Sequence, residues 1–308
     1  MFRQVLRRLS TLPIVLVGVA IALFVSSQVL PTDVVRLIAG DSVTPELRAA
    51  IEARLGLDQP IWVQFWNYMG RLLRGDLGTS IRFQLPVSQL VADALPASLT
   101  LFGAAAVVAV LIAFPVGVLA ARFRGSWFDV LSRGLVVVGI SSPPFFLGLL
   151  AILWFGLYLG WFPVSGRGDP PDLYHLVLPA LVLGFREAGS TTRVLRASIL
   201  DELSSEQARA ARARGMTRRY VLMKNGVRNG LIPAVTDFGT TMTELAGALI
   251  LIEIVFGWPG IGNLLYIGVR WNDFPLVSGT VLFLVLYAVA ANLIVDLLYG
   301  VIDPRLRG

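Results

Sequence analysis

From Ala97 to Ala121 the chain runs twenty-five residues without an ionisable side chain. As a helix at about 1.5 Å per residue this stretch reaches about 37 Å, more than the roughly 30 Å of a bilayer's hydrocarbon core. Residues 12–30 and 134–158 likewise hold no Asp, Glu, Lys, Arg or His. No water-soluble domain repeats such runs, and the composition agrees: mean hydropathy is +0.73 and 15% of residues are charged, against about a quarter in soluble domains. The chain therefore reads as an all-α polytopic membrane protein, because helices satisfy their own backbone hydrogen bonds in lipid.

Six transmembrane helices are expected, at about 12–30, 97–121, 134–158, 176–199, 233–255 and 276–300. Arg3, Arg7 and Arg8 precede the first, which keeps the N-terminus in the cytosol. A cleavable signal peptide would share that positive start, but the apolar stretch is long for one and lacks an A-x-A end. Residues 1–30 are thus the cytosolic N-terminus and first span, 31–95 an extracytoplasmic helical segment, and 96–308 a five-helix core with a cytoplasmic loop at about 200–232. In 31–95, Thr44 and Pro45 open a helix with Leu47, Ile51 and Leu55 on one face, and Trp62, Phe65, Met69 and Leu72 recur at helical spacing. Between Arg193 and Arg228 lie nine basic and three acidic residues, whereas 31–95 has six basic and seven acidic. That asymmetry puts both termini inside. It also explains the net charge of +6 by topology, without nucleic acid.

Several chemistries are closed to this composition. There is no cysteine, His175 is the one histidine, and Lys224 is the one lysine among 26 basic residues. Disulfides, thiolate or histidine-rich metal sites and a cysteine nucleophile are excluded, and no metal or catalytic site is expected. A phosphate-binding loop of the G-x-x-x-x-G-K-[ST] type needs a lysine in that setting. Lys224 stands in LMKNG, so ATP hydrolysis by that route is not expected of this chain.

The densest positive cluster is SSEQARAARARGMTRRY, residues 204–220. Ser204 with Gln207 fits a capping box, a short helix follows, and Gly215 suits its C-terminal end. Thr217 caps a second helix that stops before Pro233, which opens the fifth span. Ala208 and Ala211 share one face, ringed by Arg209, Arg212, Arg214, Arg218 and Arg219. Charge alone would make this a positive-inside loop on anionic headgroups. A cap, a small-residue face and a closing glycine describe instead a docking element for another protein.

EQARAARARGMTRRYVLMKNGVRNGLIPAVT resembles the Glu-Ala-Ala cytoplasmic loop of ATP-binding-cassette (ABC) importer permeases, in particular the oligopeptide/dipeptide/nickel branch. The matching positions are Glu206, Arg209, Ala211, Arg212, Ala213 and Gly215, then Arg228, Asn229, Leu231, Ile232 and Pro233. Glu206, Gln207 and Arg214 stand where that branch often has Asp, Tyr and Lys. The resemblance extends to LGLDQPIWVQFWNYMGRLLRGDLGTSI, EIVFGWPGIGNLL and NLIVDLLYGVIDPRLR, as in the dipeptide permease B-like subunit.

The resemblance implies a coupling helix between the fourth and fifth spans, with Glu206, Arg209, Ala210, Ala211, Arg212 and Gly215 meeting a cytosolic ATPase subunit. It further implies a second, sister permease, two ATPases that bind the ATP and magnesium, an extracytoplasmic binding protein, and a multi-pass place in the bacterial inner membrane. Peptides, glutathione or nickel chelates are the cargo classes of that branch.

Ionisable groups inside spans default to functional hypotheses. Arg186 and Glu187 fall within the fourth span, Glu244 and Glu253 in the fifth, and Asp296 in the last. Arg186 and Glu244 are candidates for a polar translocation path, the competing reading being that Arg186 pairs internally with a glutamate. Pro143 and Pro144 break or kink the third span and are candidates to line the path. Glu253 and Asp296 lie near the bilayer edges and read as structural; GWPGIG reads as a turn, and His175 as an interface residue. A secondary transporter independent of an ATPase is the alternative function, but such folds show repeated halves, and none is evident here.

Overall fold

The computed structural model describes residues 2–29, 34–39 and 43–302. Among the described residues the secondary structure is helical, with one isolated bridge between Thr79 and Pro86. The helices are α1 Phe2–Val29, α2 Val34–Ala39, α3 Pro45–Leu55, α4 Ile61–Leu73, α5 Val87–Arg122, α6 Trp127–Ser141, α7 Pro144–Ala151, α8 Leu173–Ser204, α9 Glu206–Ala213, α10 Arg218–Val221, α11 Arg228–Val255, α12 Ile261–Arg270 and α13 Phe274–Ile302. π-helical stretches Ile152–Tyr158 and Leu222–Val227 continue α7 and join α10 to α11. The chain divides into two compact units, one built on Ala97–Gly262 and the other on Phe2–Pro96 with Asn263–Ala290.

In the first unit, helices approach through small residues. Ala97, Leu101, Ala105, Ala109 and Ala113 recur every fourth residue along α5 and are fully buried. Gly184 of α8 sits against this row: a Cβ there would lie 2.5 Å from Val108 Cβ and 2.8 Å from the Ala105 carbonyl. Gly189 meets Ile140 of α6 in the same manner, at 3.0 Å. Without a hydrophobic drive between helices in lipid, such close packing supplies the cohesion. A buried ion pair adds a fixed point, since Arg196 of α8 donates from Nε and Nη2 to the two Asp129 oxygens at 2.6 and 2.8 Å.

In the second unit, Phe24 of α1 packs edge-on to Phe65 at 5.3 Å and near Tyr68 at 5.8 Å. Met69, Leu72 and Leu282 complete this cluster. Of the residues read at helical spacing Trp62 is exposed, and Tyr68 is the buried residue of α4. Thr44 caps α3 as expected, accepting from Leu47 N at 3.3 Å; the Leu55 side chain lies outside the described residues. The GDLGTS turn is held from the far end of the chain. Buried Asp273 accepts from Ser80 Oγ at 2.5 Å and from Arg82 N at 2.9 Å, and caps α13 through Leu276 N at 3.1 Å.

Two described helices, α5 and the continuous run Arg218–Val255, are long and apolar enough to cross a membrane; Trp127–Ser141 with Pro144–Tyr158, bent by 111°, would make a third. Pro13–Val29 and Phe274–Val289 are shorter apolar helices, and α8 carries six charges at Arg186, Glu187, Arg193, Arg196, Asp201 and Glu202. The bend falls at Ser142–Pro143, as expected. Both residues are extended, at ψ 135 and 139, because a residue before proline is driven out of the helical region.

Other boundaries differ from the sequence reading. Helix α5 begins at Val87, ten residues before the apolar run, because helical geometry continues through the polar turn that precedes it. Pro233 lies inside α11 rather than opening it. The continuous helical run already starts at Arg218, so Pro233 falls in its interior, where the ring removes one backbone hydrogen bond, a loss that membrane helices tolerate when neighbouring groups satisfy the freed carbonyl. The connection at 257–275 between the fifth and last expected spans contains the ten-residue helix α12, which begins within GWPGIG at Ile261.

Candidate functional site

The 204–220 cluster folds as a hairpin of short helices between α8 and α11. Its first cap is Ser205, one residue later than expected: Ser205 Oγ accepts from Ala208 N at 3.2 Å, while Ser204 Oγ donates back to the Asp201 carbonyl at 2.8 Å. Helix α8 runs through Ser204, so Ser205 is the first residue free to turn extended, at ψ 158. The far end closes as a Schellman motif, with Gly215 N donating to Arg212 O at 2.9 Å and Met216 N to Ala211 O at 3.2 Å. Gly215 has φ +79 and open space around a hypothetical Cβ, so the backbone turn, not crowding, calls for glycine. Thr217 then caps α10 through Tyr220 N at 3.3 Å.

The small-residue face does not lie open. Ala208 and Ala211 are buried against Leu203, Met216 and Val221 of the same chain. This corrects the expectation that the face admits a partner's backbone: α10 folds back and covers it. Glu206, Gln207, Arg209, Ala210 and Arg212 are left on the exposed side. There Arg209 bonds Glu206 at 3.0 Å and Arg212 donates to the Leu203 carbonyl at 3.1 Å.

The hairpin is fastened to both long helices. Gly226 and Gly230 press on Ile199 of α8, where a Cβ at Gly230 would come 3.1 Å from the Ile199 amide nitrogen. Asn229 Nδ2 donates to Glu202 Oε2 at 3.0 Å. These contacts lock the start of α11 to the end of α8, the helix that leads into α9. The sequence held a signal for this, since GVRNG is a G-x-x-x-G pattern that lets two helices approach; Glu202 had none.

A second group lies along α8 and α11. Arg186 Nη1 bonds the buried Glu187 carboxylate, so the internal pairing with a glutamate holds, with its sequence neighbour. Arg186 Nε is buried without an acceptor. Glu244 is exposed and forms no bond to Arg186. Asp237, not singled out from the sequence, accepts from Ser190 Oγ and Thr191 Oγ1, both at 3.0 Å. Its signal was available: it is an acid one turn beyond Pro233 in an apolar stretch.

Glu253 explains GWPGIG. Its carboxylate accepts from Ser98 Oγ and from Gly262 N, both at 2.6 Å. A Cβ on Gly260 would fall 2.1 Å from Glu253 Oε1, so the loop must be glycine where it wraps this side chain. Trp258 Nε1 closes the knot on the Ala97 carbonyl at 2.9 Å. The structural reading of Glu253 thus agrees with its contacts, whereas the Asp296 side chain lies outside the described residues. His175 lies at the start of α8, bonded through its amide and Nδ1 to the capping Asp172 at 2.9 and 2.7 Å. The His175 amide, and after it the imidazole, hold the exposed Asp172 carboxyl below its ordinary range. Among the described residues no group of His, Asp and Glu is arranged to hold a metal.

A crystal structure of an amino acid ABC transporter with histidines superposes on 69% of this chain and 94% of its own, with TM-score 0.55 at 16% identity. Residues 113–308 match the family described as binding-protein-dependent transport system inner membrane component, and residues 1–102 match its N-terminal family. The chain belongs to that family and is a permease subunit of an ABC importer. The glutathione transport system permease protein GsiC of Salmonella typhimurium is 40% identical over 307 residues, covering 100% of this chain and 99% of that protein. GsiC of Escherichia coli K12 is 38% identical over the same span.

Proposed function

We propose that this permease moves small peptides of the glutathione and dipeptide class into the cytosol, driven by ATP hydrolysed on separate subunits. The full-length likeness to two GsiC proteins carries the cargo class. In this reading the chain crosses the membrane six times, with α1, α5, the broken pair α6–α7, α8, α11 and α13 as spans. Both termini and the α9–α10 hairpin lie in the cytosol, following the arginines.

The exposed side of α9, with Glu206, Arg209, Ala210 and Arg212, meets an ATPase subunit. Ala211 and Gly215 shape the hairpin from beneath and behind. Two ATPases supply the ATP and magnesium chemistry, since this chain has no phosphate-binding loop. A sister permease completes the pathway, and an extracytoplasmic binding protein delivers cargo. Closure of the ATPases shifts α9, and the fastening at Gly226, Gly230 and Asn229 passes the shift to α8 and α11, a two-state rearrangement of packed helices.

Along those helices Arg186 and Glu244 offer a cation and an anion to the carboxylate and ammonium of a peptide. Arg186 supports this with an unused buried Nε. Pro143 and Pro144 give the third span a bend at which the path can open.

The test is uptake of labelled glutathione and of dipeptides by vesicles carrying this chain with the products of its neighbouring genes. Accumulation that requires ATP, and that Arg186→Gln abolishes without loss of assembled protein, is expected. Uptake driven by an ion gradient with no ATP would overturn the reading in favour of a secondary transporter.

A further inference from the structure

Between α9 and the start of α11 lies an open groove of about 620 Å³, lined on one side by Gln207 and Arg214 and on the other by Lys224, Asn225, Arg228 and Ile232. Three cations face it and no acid lines it. Lys224 is held in place, with Nζ donating to Tyr220 Oη at 2.5 Å and lying 5.1 Å over that ring. A lysine ammonium has three donors, so two remain for a ligand. Arg214 is tied back through Nε to the Ala210 carbonyl at 3.3 Å. Lys224 and Asn225 belong to the π-helical stretch Leu222–Val227, and such wide turns concentrate at functional positions.

Depth decides what this groove meets. From Pro233 to Val255 is 23 residues, or about 34 Å of helix, enough to cross a hydrocarbon core of about 30 Å. Arg228 lies five residues before Pro233, about 7 Å outside that core, which is headgroup depth. Lys224 lies about 6 Å further out and its long stem can reach back. Ile232, half exposed at 51%, forms the apolar end of the groove at the core's edge. A cationic pocket with an apolar end at this level matches a lipid, with phosphate among the cations and acyl chain along Ile232.

We propose that the groove binds the phosphate headgroup of an anionic phospholipid of the cytosolic leaflet. The proposal rests on the cytosolic orientation of the hairpin argued above. Basic pockets beside membrane helices on that side hold anionic headgroups by the same charge complementarity. The groove is walled by the hairpin and by α11, so a bound lipid would steady the element that transmits the ATPase stroke.

Lys224, the only lysine, makes the test direct. The purified full-length chain in detergent is treated with an amine-reactive ester, alone and with dioleoylphosphatidylglycerol, dioleoylphosphatidylcholine or inorganic phosphate. Peptide mapping separates Lys224 from the α-amine of Met1. Phosphatidylglycerol is expected to protect Lys224 where phosphatidylcholine and phosphate do not. In native mass spectrometry, Lys224→Gln/Arg228→Gln should bind phosphatidylglycerol about 25-fold more weakly, about fivefold per charge removed, while Arg124→Gln, outside the groove, keeps wild-type binding.

Equal protection by both lipids, or equal loss of binding in Arg124→Gln, would overturn the proposal. Protection by phosphate alone would assign the groove to a free anion, and protection only on adding the partner ATPase would assign it to that protein. Orientation is read separately, with a membrane-impermeant ester on sealed vesicles. Labelling of Lys224 from the extracytoplasmic side would refute the orientation, while lipid protection in detergent would still stand.

Discussion

The Asp129–Arg196 pair gives a stability prediction whose size follows from its burial. Asp129 is 1% exposed and Arg196 19%, and the pair is bidentate at 2.6 and 2.8 Å. Asp129 also accepts from Gly125 N at 2.9 Å, a donor in an exposed turn that water can satisfy. Arg133, at 3.7 Å and 57% exposed, adds about 0–1 kcal/mol as a surface partner would. Removing one member of a buried pair strands the other charge and costs about 3–5 kcal/mol. Arg196 retains some exposure, so Asp129→Ala falls at the lower end, about 3 kcal/mol. Arg196→Met costs a similar amount, because the buried Asp129 is then left with the Gly125 amide and the distant, exposed Arg133. The double variant leaves no stranded charge and should cost no more than either single change. Thermal unfolding in detergent, followed by circular dichroism, reads this directly. At about 2–4 °C per kcal/mol each single variant should melt about 6–12 °C lower, and the double variant no lower than the singles. A double variant whose loss equals the sum of the two would show that the charges do not act as a pair and refute the reasoning.

Two other outcomes follow from the same contacts. Gly184→Ala should destabilise by about 1–3 kcal/mol through overpacking, because its Cβ would fall 2.5 Å from Val108 Cβ. Gly103→Ala, with nothing within 4 Å, should stabilise by about 0.5–1 kcal/mol; the two melting shifts are expected to have opposite signs. For Asp172, the folded carboxyl is lowered by the His175 amide and imidazole, so its contribution is full above the unfolded value and is lost as pH falls through the folded one. The melting difference between wild type and Asp172→Asn should be constant near neutrality and close below about pH 4; a difference that grew on acidification would contradict the sign.

Legibility in the sequence followed the physics of each element. The apolar runs announced α5 and the bent third span, since an uncharged stretch of that length and a Pro-Pro pair leave few alternatives. Thr44 and Thr217 were readable as caps because an isolated hydroxyl before a helix has one local use. Ser204 and Ser205 are adjacent, and only the end of α8 decides which one caps. Ala208 and Ala211 looked like a docking face because a small-residue stripe does not say which neighbour covers it; the covering residue, Val221, comes from a helix four residues long. Asp237, Glu202 and Glu253 acquire roles from partners 27 to 155 residues away, and local pattern has no access to such pairings. The role of GWPGIG became plain only once Glu253 stood inside it.

The central claim is that the α9–α10 hairpin is where the permease takes its drive from an ATPase. The most direct measurement compares wild type, Gly215→Asn and Gly215→Val after co-expression with the neighbouring genes, reading ATPase co-purification and cargo-stimulated ATP hydrolysis. At φ +79 asparagine is tolerated, whereas a β-branched side chain is a steric outlier. The account predicts that Gly215→Asn keeps both readouts and Gly215→Val loses both while its long helices stay folded. Full ATPase binding and stimulation in folded Gly215→Val would contradict it and return the arginines to the single role of orienting the chain in the membrane.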